Sequence, residues 1–382
     1  MLFHALFEMH AKRKLKAYFT SVVIFSFALS LITIFEPIFF YQQGFPIWGI
    51  ALYYALHYSL YIILLPLGGK LVAFLGLERS IAASLPWIVL YFLTLASIVE
   101  YPYMIICALV LLTVHKSLYW PPAYAIFSRS ADGGNRGTEI SWLNVFRYGS
   151  GILGPVSGGF IAGIWGFPTL FFCGAALVLV SGIPLLYISQ AYRGTAFSYM
   201  GPWKMMRHIE YRKTFLSTLG WGENLIDIIF WPLYLFIILD NVESLGIYLS
   251  ISLVVMAIGS FFIGDIAERY SKERVLRAYL PFMVLGYALR IFSTGPARVV
   301  LIDSLARLSF AGVTIPMMYK MYSQAKRTHS LEFAVAFELV LAISKASLAF
   351  AIVALFLFLP VHAAFIGTFI LGGLAALLYG LL

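Results

Sequence analysis

Polar residues fall along this chain in short clusters, and the apolar runs between them are each long enough to cross a bilayer. About 20 apolar residues are needed for a helix to traverse the hydrocarbon core. That ruler predicts twelve spans, at 16–41, 47–75, 80–99, 102–127, 139–165, 167–189, 213–239, 246–264, 275–294, 297–322, 330–358 and 361–381. The predicted fold class is an all-α polytopic membrane protein.

Composition supports this. Of the 382 residues, 62% are hydrophobic and only 11% charged, too little polar surface to coat a globule in water. The lead-in "MLFHALFEMHAKRKLKAYFT" is followed by an apolar run far longer than a signal-peptide core, so it is expected to be retained. Cys107 and Cys173 stand in separate apolar runs without partners at metal or redox spacing. They read as packing residues, and no cofactor or metal is expected.

Charge settles the expected orientation. The connections "YQQGFP", "VEYPY", "GIWGFP", "DNVESL" and "LPVHA" carry no Lys or Arg, whereas the alternate set is basic, from Lys12, Arg13, Lys14 and Lys16 to Lys326 and Arg327. By the positive-inside rule the basic set and both termini face the cytoplasm, in a bacterial-type plasma membrane. A net charge of +9 therefore needs no nucleic-acid partner, because topology and anionic lipid account for it.

The longest polar connection, "SQAYRGTAFSYMGPWKMMRHIEYRK" at 189–213, reads as a linker. A shift of 195 residues pairs Phe35 with Phe230, Pro37 with Pro232, Gly69 with Gly264, Glu78 with Glu273, Arg79 with Arg274, Pro121 with Pro316, Tyr124 with Tyr319 and Ser128 with Ser323. Parallel duplication follows, with six-helix bundles at 1–189 and 213–382 joined by a cytoplasmic linker at 190–212.

The stretch "GSGILGPVSGG" (149–159) holds Gly149, Gly151 and Gly154 at the G-x-G-x-x-G spacing of a dinucleotide loop. No strand precedes it, and the next acid after Gly154 is Glu210, far beyond the reach of a ribose partner. Small residues four apart let membrane helices approach closely, as Gly154 with Gly158 and Gly159 with Gly163 would. Pro155 removes one backbone donor and permits a bend. A static packing face and a functional hinge are both open readings.

Several stretches together resemble the major facilitator superfamily. The loop "GDIAERYSKER" is similar to that family's signature after the eighth helix, through Gly264, Glu268, Arg269 and Lys272. Its first-half copy, "GKLVAFLGLER", keeps Gly69 and Gly76 but has Ala73 and Phe74 where the acid and arginine belong. "GILGPVSGG" resembles the fifth-helix signature of the drug/proton antiporter branches through Gly154, Pro155, Gly158 and Gly159. The basic fourth-helix signature lacks its Gln-Gly pair; His115 and Lys116 stand in that neighbourhood. The resemblance implies a loop acting as a charge-linked cytoplasmic latch, and a cavity lined by helices 1, 4, 7 and 10. Helices 2, 5, 8 and 11 would flank it, and 3, 6, 9 and 12 would face lipid.

A charge at the bilayer centre costs several kcal/mol, so each one needs an explanation. Lys116, Asp227 and Lys345 fall near the midplane, with Arg147, Glu223, Asp303, Arg307 and Glu338 somewhat off it and Glu36 near the outer end of the first span. Only Arg290, near an end of the ninth span, is carried by a helix expected to face lipid. Asp303 and Arg307, four apart, can neutralise one another. Glu223 and Asp227, also four apart, are like-charged and cannot both ionise cheaply in a low-dielectric site. Proton coupling, salt bridges to Lys345, Lys116 or Arg147, and direct cation binding are the alternatives for that pair. Lys116 and Arg147 either bind a substrate anion or satisfy those carboxylates; Glu36 is an outer gate or an interfacial group. His57 and His115 read as packed rather than as proton relays, and Trp120, Trp221 and Trp231 as core filling rather than substrate stacking.

The expected function is secondary active transport of a small organic solute by alternating access, with protons as coupling ion and the bilayer as environment. The glycine run of the fifth span favours export by antiport, with symport and lipid flipping on the same fold as the alternatives; a monomer is expected. A membrane-embedded transferase is disfavoured, since no His-Asp or paired-carboxylate constellation sits at a membrane face and no sizeable soluble domain exists to hold a nucleotide donor.

Overall fold

Gly76 alone separates two helices of membrane length, Ile47–Leu75 and Leu77–Ser97, and its φ of 98° is one that residues with a Cβ rarely adopt. Short turns of this kind string the whole chain together. The computed structural model describes the backbone of residues 13–130, 136–186 and 197–382, and every regular element among them is helical.

The first six long helices are α1 (Arg13–Ile32, resuming as Glu36–Gln42), α2 (Ile47–Leu75), α3 (Leu77–Ser97), α4 (Ile105–Ser130), α5 (Arg136–Trp165) and α6 (Phe167–Leu186). Next comes a short helix, Gly201–Arg207, and then α7, which begins as Ile209–Thr218 and ends as Trp231–Leu239. The last five are α8 (Val242–Arg269), α9 (Lys272–Leu289), α10 (Pro296–Lys326), α11 (Ser330–Phe358) and α12 (Val361–Leu377). Among the described residues, eleven of the predicted spans are long and apolar enough to cross a membrane, and α5 occupies the place of the remaining one. The main departure is at the linker. The seventh helix starts at Ile209 rather than 213, because the end of the polar connection is itself helical. The Glu332 carboxylate on α11 accepts the Ser198 N–H at 2.7 Å and lies flush against Gly201, docking this part of the linker on the second set of helices.

The repeat is visible in the backbone. α1 breaks into a turn at 33–35 just ahead of Pro37, and α7 passes through a 3-10 segment (Leu219–Glu223) and a π segment (Ile226–Phe230) just ahead of Pro232. Both prolines stand in the first turn of the helix that resumes, where a missing N–H costs nothing.

Within the first half α1 packs on α5 and α6, and α3 on α4 and α6; within the second half α10 packs on α8 and α9, and α9 on α12. The halves meet along two seams, α2 with α11 and α5 with α8. The glycines of α5 serve both kinds of contact. Gly154 faces Ser30 of α1, and Gly158 faces the Leu31 carbonyl and the Phe35 ring. On the other side, a Cβ at Gly159 would come within 2.9 Å of the Val242 carbonyl of α8, and the Pro155 carbonyl lies against Gly246. Ser250 extends this seam by donating its hydroxyl to the Ile152 carbonyl at 2.7 Å. Gly149 and Gly151, the remainder of the apparent nucleotide pattern, have open space around them.

The central helices touch at both ends. At the end carrying basic loops, Tyr124 and Phe127 of α4 meet Tyr322 of α10, with ring centroids 6.5 and 6.2 Å apart. At the opposite end, Tyr41 of α1 meets Phe236 of α7 at 6.4 Å. Charged side chains in the middle are thus held between two aromatic closures.

Because the α5 glycines touch backbone, side chains added there should be costly in a position-specific way. Gly158→Leu and Gly159→Leu are expected to lower thermal stability by roughly 1–3 kcal/mol or more by overpacking. Gly151→Leu, into open space, is expected to be neutral or stabilising; unfolding of the purified variants in detergent checks the contrast. Equal effects at all three positions would contradict the two-sided packing.

Candidate functional site

The irregular middle of α7 places Glu223 at the end of its 3-10 segment and Asp227 in the following π segment, where backbone hydrogen bonding departs from the α pattern. Glu223 is fully buried. The Tyr379 hydroxyl donates to one of its oxygens at 3.1 Å, and the other is hydrogen-bonded to the Tyr287 hydroxyl of α9. The same Tyr287 oxygen lies 2.9 Å from Asp227 Oδ1. A phenol carries one proton, so it can donate to only one carboxylate. Hydrogen bonds to both therefore require a second proton, carried by one of the acids.

Arg290, from the end of α9, supplies the counter-charge. Its Nη2 is 2.5 Å from Asp227 Oδ1, and its guanidinium lies 4.4 Å from the Tyr287 ring centroid and 4.7 Å from that of Trp231. Its Nε and Nη1, both buried, have no hydrogen-bond partner. Trp231 donates its indole N–H to Asp303 Oδ1 at 2.9 Å, and Arg307 Nε reaches Asp303 Oδ2 at 2.7 Å. The cluster thus holds three carboxylates, Glu223, Asp227 and Asp303, against two guanidinium groups.

A second cluster lies where α2, α4, α7 and α11 converge. Lys116 of α4 sits 4.5 Å from the Tyr58 ring centroid and 5.4 Å from that of Tyr61, with its ammonium 3.3 Å from the Tyr58 hydroxyl. Lys345 of α11 approaches the same Tyr58 ring at 5.5 Å and reaches Asn224 Oδ1 of α7 at 3.4 Å. Glu338, two turns before Lys345 on the same face of α11, accepts the Tyr61 hydroxyl at 2.9 Å. Neither lysine makes an ion pair within 4.0 Å among the described residues. Bridges from Glu223 and Asp227 to Lys116 or Lys345, one of the alternatives for that pair, are thus not formed; Arg290 pairs with Asp227 instead.

Glu36 lies in the break of α1 and is buried, accepting the Tyr54 hydroxyl at 2.8 Å rather than facing the membrane surface. His57 and His115 are buried and bonded locally, to the Thr113 hydroxyl and the Ser84 carbonyl. The side chains of Arg147 and Glu268 lie outside the described residues. In the loop signature, Arg269 pairs with Asp265 on its own helix, Lys272 covers the Tyr319 ring at 4.5 Å, and Gly264 faces open space. These described contacts all stay within the second half, where Lys320 also ties α10 to Glu273 of α9 at 3.1 Å. Gly69, in contrast, meets Val335 of α11 and Phe197 of the linker.

Sequence reasoning missed Arg290 as a site residue, along with Tyr287, Tyr379, Tyr58 and Tyr61. Arg290 was visible as a lone charge at a span end. The tyrosines carried no signal in a chain with 24 of them.

A family profile described as Major Facilitator Superfamily matches residues 18–337. Among solved structures, a mutant of the nucleoside transporter NupG aligns with a TM-score of 0.68 at 15% identity, covering 97% of this chain and 98% of that one. Unmutated NupG gives 0.67 at 13% identity with the same coverage. The fucose:proton symporter FucP of E. coli gives 0.63 at 14% identity, covering 96% of this chain and 97% of its own. No curated protein matches in sequence.

Removing one partner of a buried ion pair leaves an uncompensated charge and costs about 3–5 kcal/mol. Arg290→Met is expected to destabilise the protein on that scale, and Asp227→Asn to restore a large part of the loss in the double variant. A double-mutant cycle on thermal unfolding reads the coupling, and purely additive effects would contradict the pair.

Proposed function

The chain belongs to the Major Facilitator Superfamily, and from that membership we propose that it moves a small organic solute across the membrane by proton-coupled alternating access. The observation that carries the proton is the Tyr287 hydroxyl, in reach of both Glu223 and Asp227 with a single proton to give. Three carboxylates against two guanidinium groups leave room for one more positive charge, and a proton is the smallest that can fill it. The 3-10 and π segments put this cluster at the irregular part of α7, where a change of protonation can be passed to the backbone.

In this reading the basic loops and both termini face the cytoplasm of a bacterial-type cell, the protein acts as a monomer, and the bundles at 1–189 and 213–382 rock about the α2–α11 and α5–α8 seams. Symport is the favoured direction, as in the neighbour named as a fucose:proton symporter. The glycines of α5, which suggested an antiporter, are accounted for by packing on α1 and α8. That packing serves import and export equally.

A thermal-shift screen of solutes identifies a ligand, because what binds the folded state stabilises it. Uptake of that solute into proteoliposomes is expected to accelerate under an inward proton gradient. Glu223→Gln and Asp227→Asn are expected to lose the gradient dependence while still exchanging solute at equilibrium. Wild-type uptake indifferent to the gradient, and unchanged in both variants, would sink proton coupling.

A further inference from the structure

We infer that Lys116 and Lys345, which both approach the Tyr58 ring and hydroxyl, form an oxyanion site that holds the carboxylate or phosphate group of an organic solute. The inference deepens the transport reading above and presupposes that a solute is carried.

Two ammonium groups inside a membrane protein demand compensation. Lys116 lies 4.5 Å and Lys345 5.5 Å from one ring centroid, so the two cations stand within about 10 Å of each other. Each has three N–H donors. Tyr58 and Asn224 take up at most three of the six, so at least half have no acceptor among the described residues. The charges facing them are few. Glu338 interacts with the charges of both, and Glu36 more weakly with that of Lys116. One oxygen of Glu338 is engaged by Tyr61, and neither lysine comes within salt-bridge distance of it. His57, beside Tyr58 and Tyr61, brings no negative charge. The cluster therefore has an excess of positive charge and unused donors, which a bound oxyanion would satisfy together.

Placement supports a transported ligand rather than a structural ion. Tyr58 and Lys116 come from the first six helices, Asn224 and Lys345 from the last six. An anion bridging the lysines is gripped by both halves, and moving the halves apart divides its ligands. Aromatic surface for an organic body is adjacent: Trp120 and Tyr124 stack at 5.8 Å on α4, one and two turns from Lys116.

The test measures thermal stability of the purified full chain in detergent with benzoate, phenyl phosphate and benzyl alcohol, at ionic strength matched with sodium chloride. Benzoate or phenyl phosphate is expected to raise Tm where benzyl alcohol and chloride do not, and the stronger of the two tells a carboxylate site from a phosphate site. Lys116→Gln and Lys345→Gln are expected to weaken that effect roughly tenfold or more, with the exposed control Arg298→Gln unchanged. Should a glutamine variant not fold, Lys116→Arg and Lys345→Arg keep the charge and are expected to keep the anion selectivity. Equal shifts with alcohol, chloride and both anions, no shift with any, or anion shifts undiminished in the glutamine variants would each overturn the site. Binding in detergent needs no gradient. Loss of anion selectivity beside gradient-driven uptake rejects this site alone, and anion binding beside gradient-independent uptake rejects proton coupling alone.

Discussion

Burial of charge away from water is the constraint on which the interior of this protein depends. Lipid offers no solvation to a carboxylate or an ammonium, so each must find its compensation inside the protein or be neutralised. The chain answers with two clusters of opposite excess. Around Arg290, acids outnumber guanidinium groups, and tyrosine hydroxyls spread the remaining negative charge over Glu223 and Asp227. Around Tyr58, ammonium groups outnumber the nearby acid, and aromatic faces lend partial compensation. Neither cluster is balanced in charge among the described residues. A proton suits the first and an anion the second, and moving the two together would transfer no net charge.

Helices must also meet in lipid without leaving backbone unsatisfied, and the glycines of α5 show how close that approach is. Helix association in lipid rests on close packing of small residues. Gly154 and Gly158 commit one face of α5 to α1, within its own half, while Gly159 and the Pro155 carbonyl form a smooth face against α8. The first contact holds a bundle together; the second lies between bundles. This second seam is largely backbone and glycine, crossed by the Ser250 hydroxyl and by the Glu243 side chain against Gly163. The α2–α11 seam differs, since Gly69 there meets the Val335 side chain and the docked linker.

Much of the fold could be read in advance because hydropathy reports length, and length reports spans. The eleventh and twelfth spans fall where the chain's apolar runs put them. The linker was harder, because a polar segment that docks on a helix looks the same in sequence as one in water; tertiary contacts such as Glu332 receiving the Ser198 N–H and Phe197 meeting Gly69 distinguish them. In the site, the Asp303–Arg307 contact followed from four-residue spacing on one helix. Partners on different helices did not. Arg290 was legible as an unexplained charge, yet its place at the end of a helix expected to face lipid hid that it turns inward to Asp227. Spacing along one helix says which side chains share a face, but the meeting of α7, α9 and α12 around Glu223 is a tertiary event.

The repeat connects the site to motion. Phe35–Pro37 and Phe230–Pro232 are counterparts under the 195-residue shift, and in both the helix is interrupted immediately before the proline. The interruptions have been used differently. In α1 the break holds Glu36, bonded to Tyr54 of α2. In α7 the same position is Trp231, bonded to Asp303 of α10, and the π segment just before it carries Asp227. Each break thus ties a central helix to a neighbour through one buried acid and one aromatic donor. Asp227 sits in a π segment, where the backbone hydrogen bonding departs from the α pattern. Protonation at that acid would alter its attraction to Arg290, and through Trp231 the position of α7 against α10. Among the described residues the break in α1 has neither a second acid nor a facing arginine beside it, whereas that in α7 has Glu223, Asp227 and Arg290.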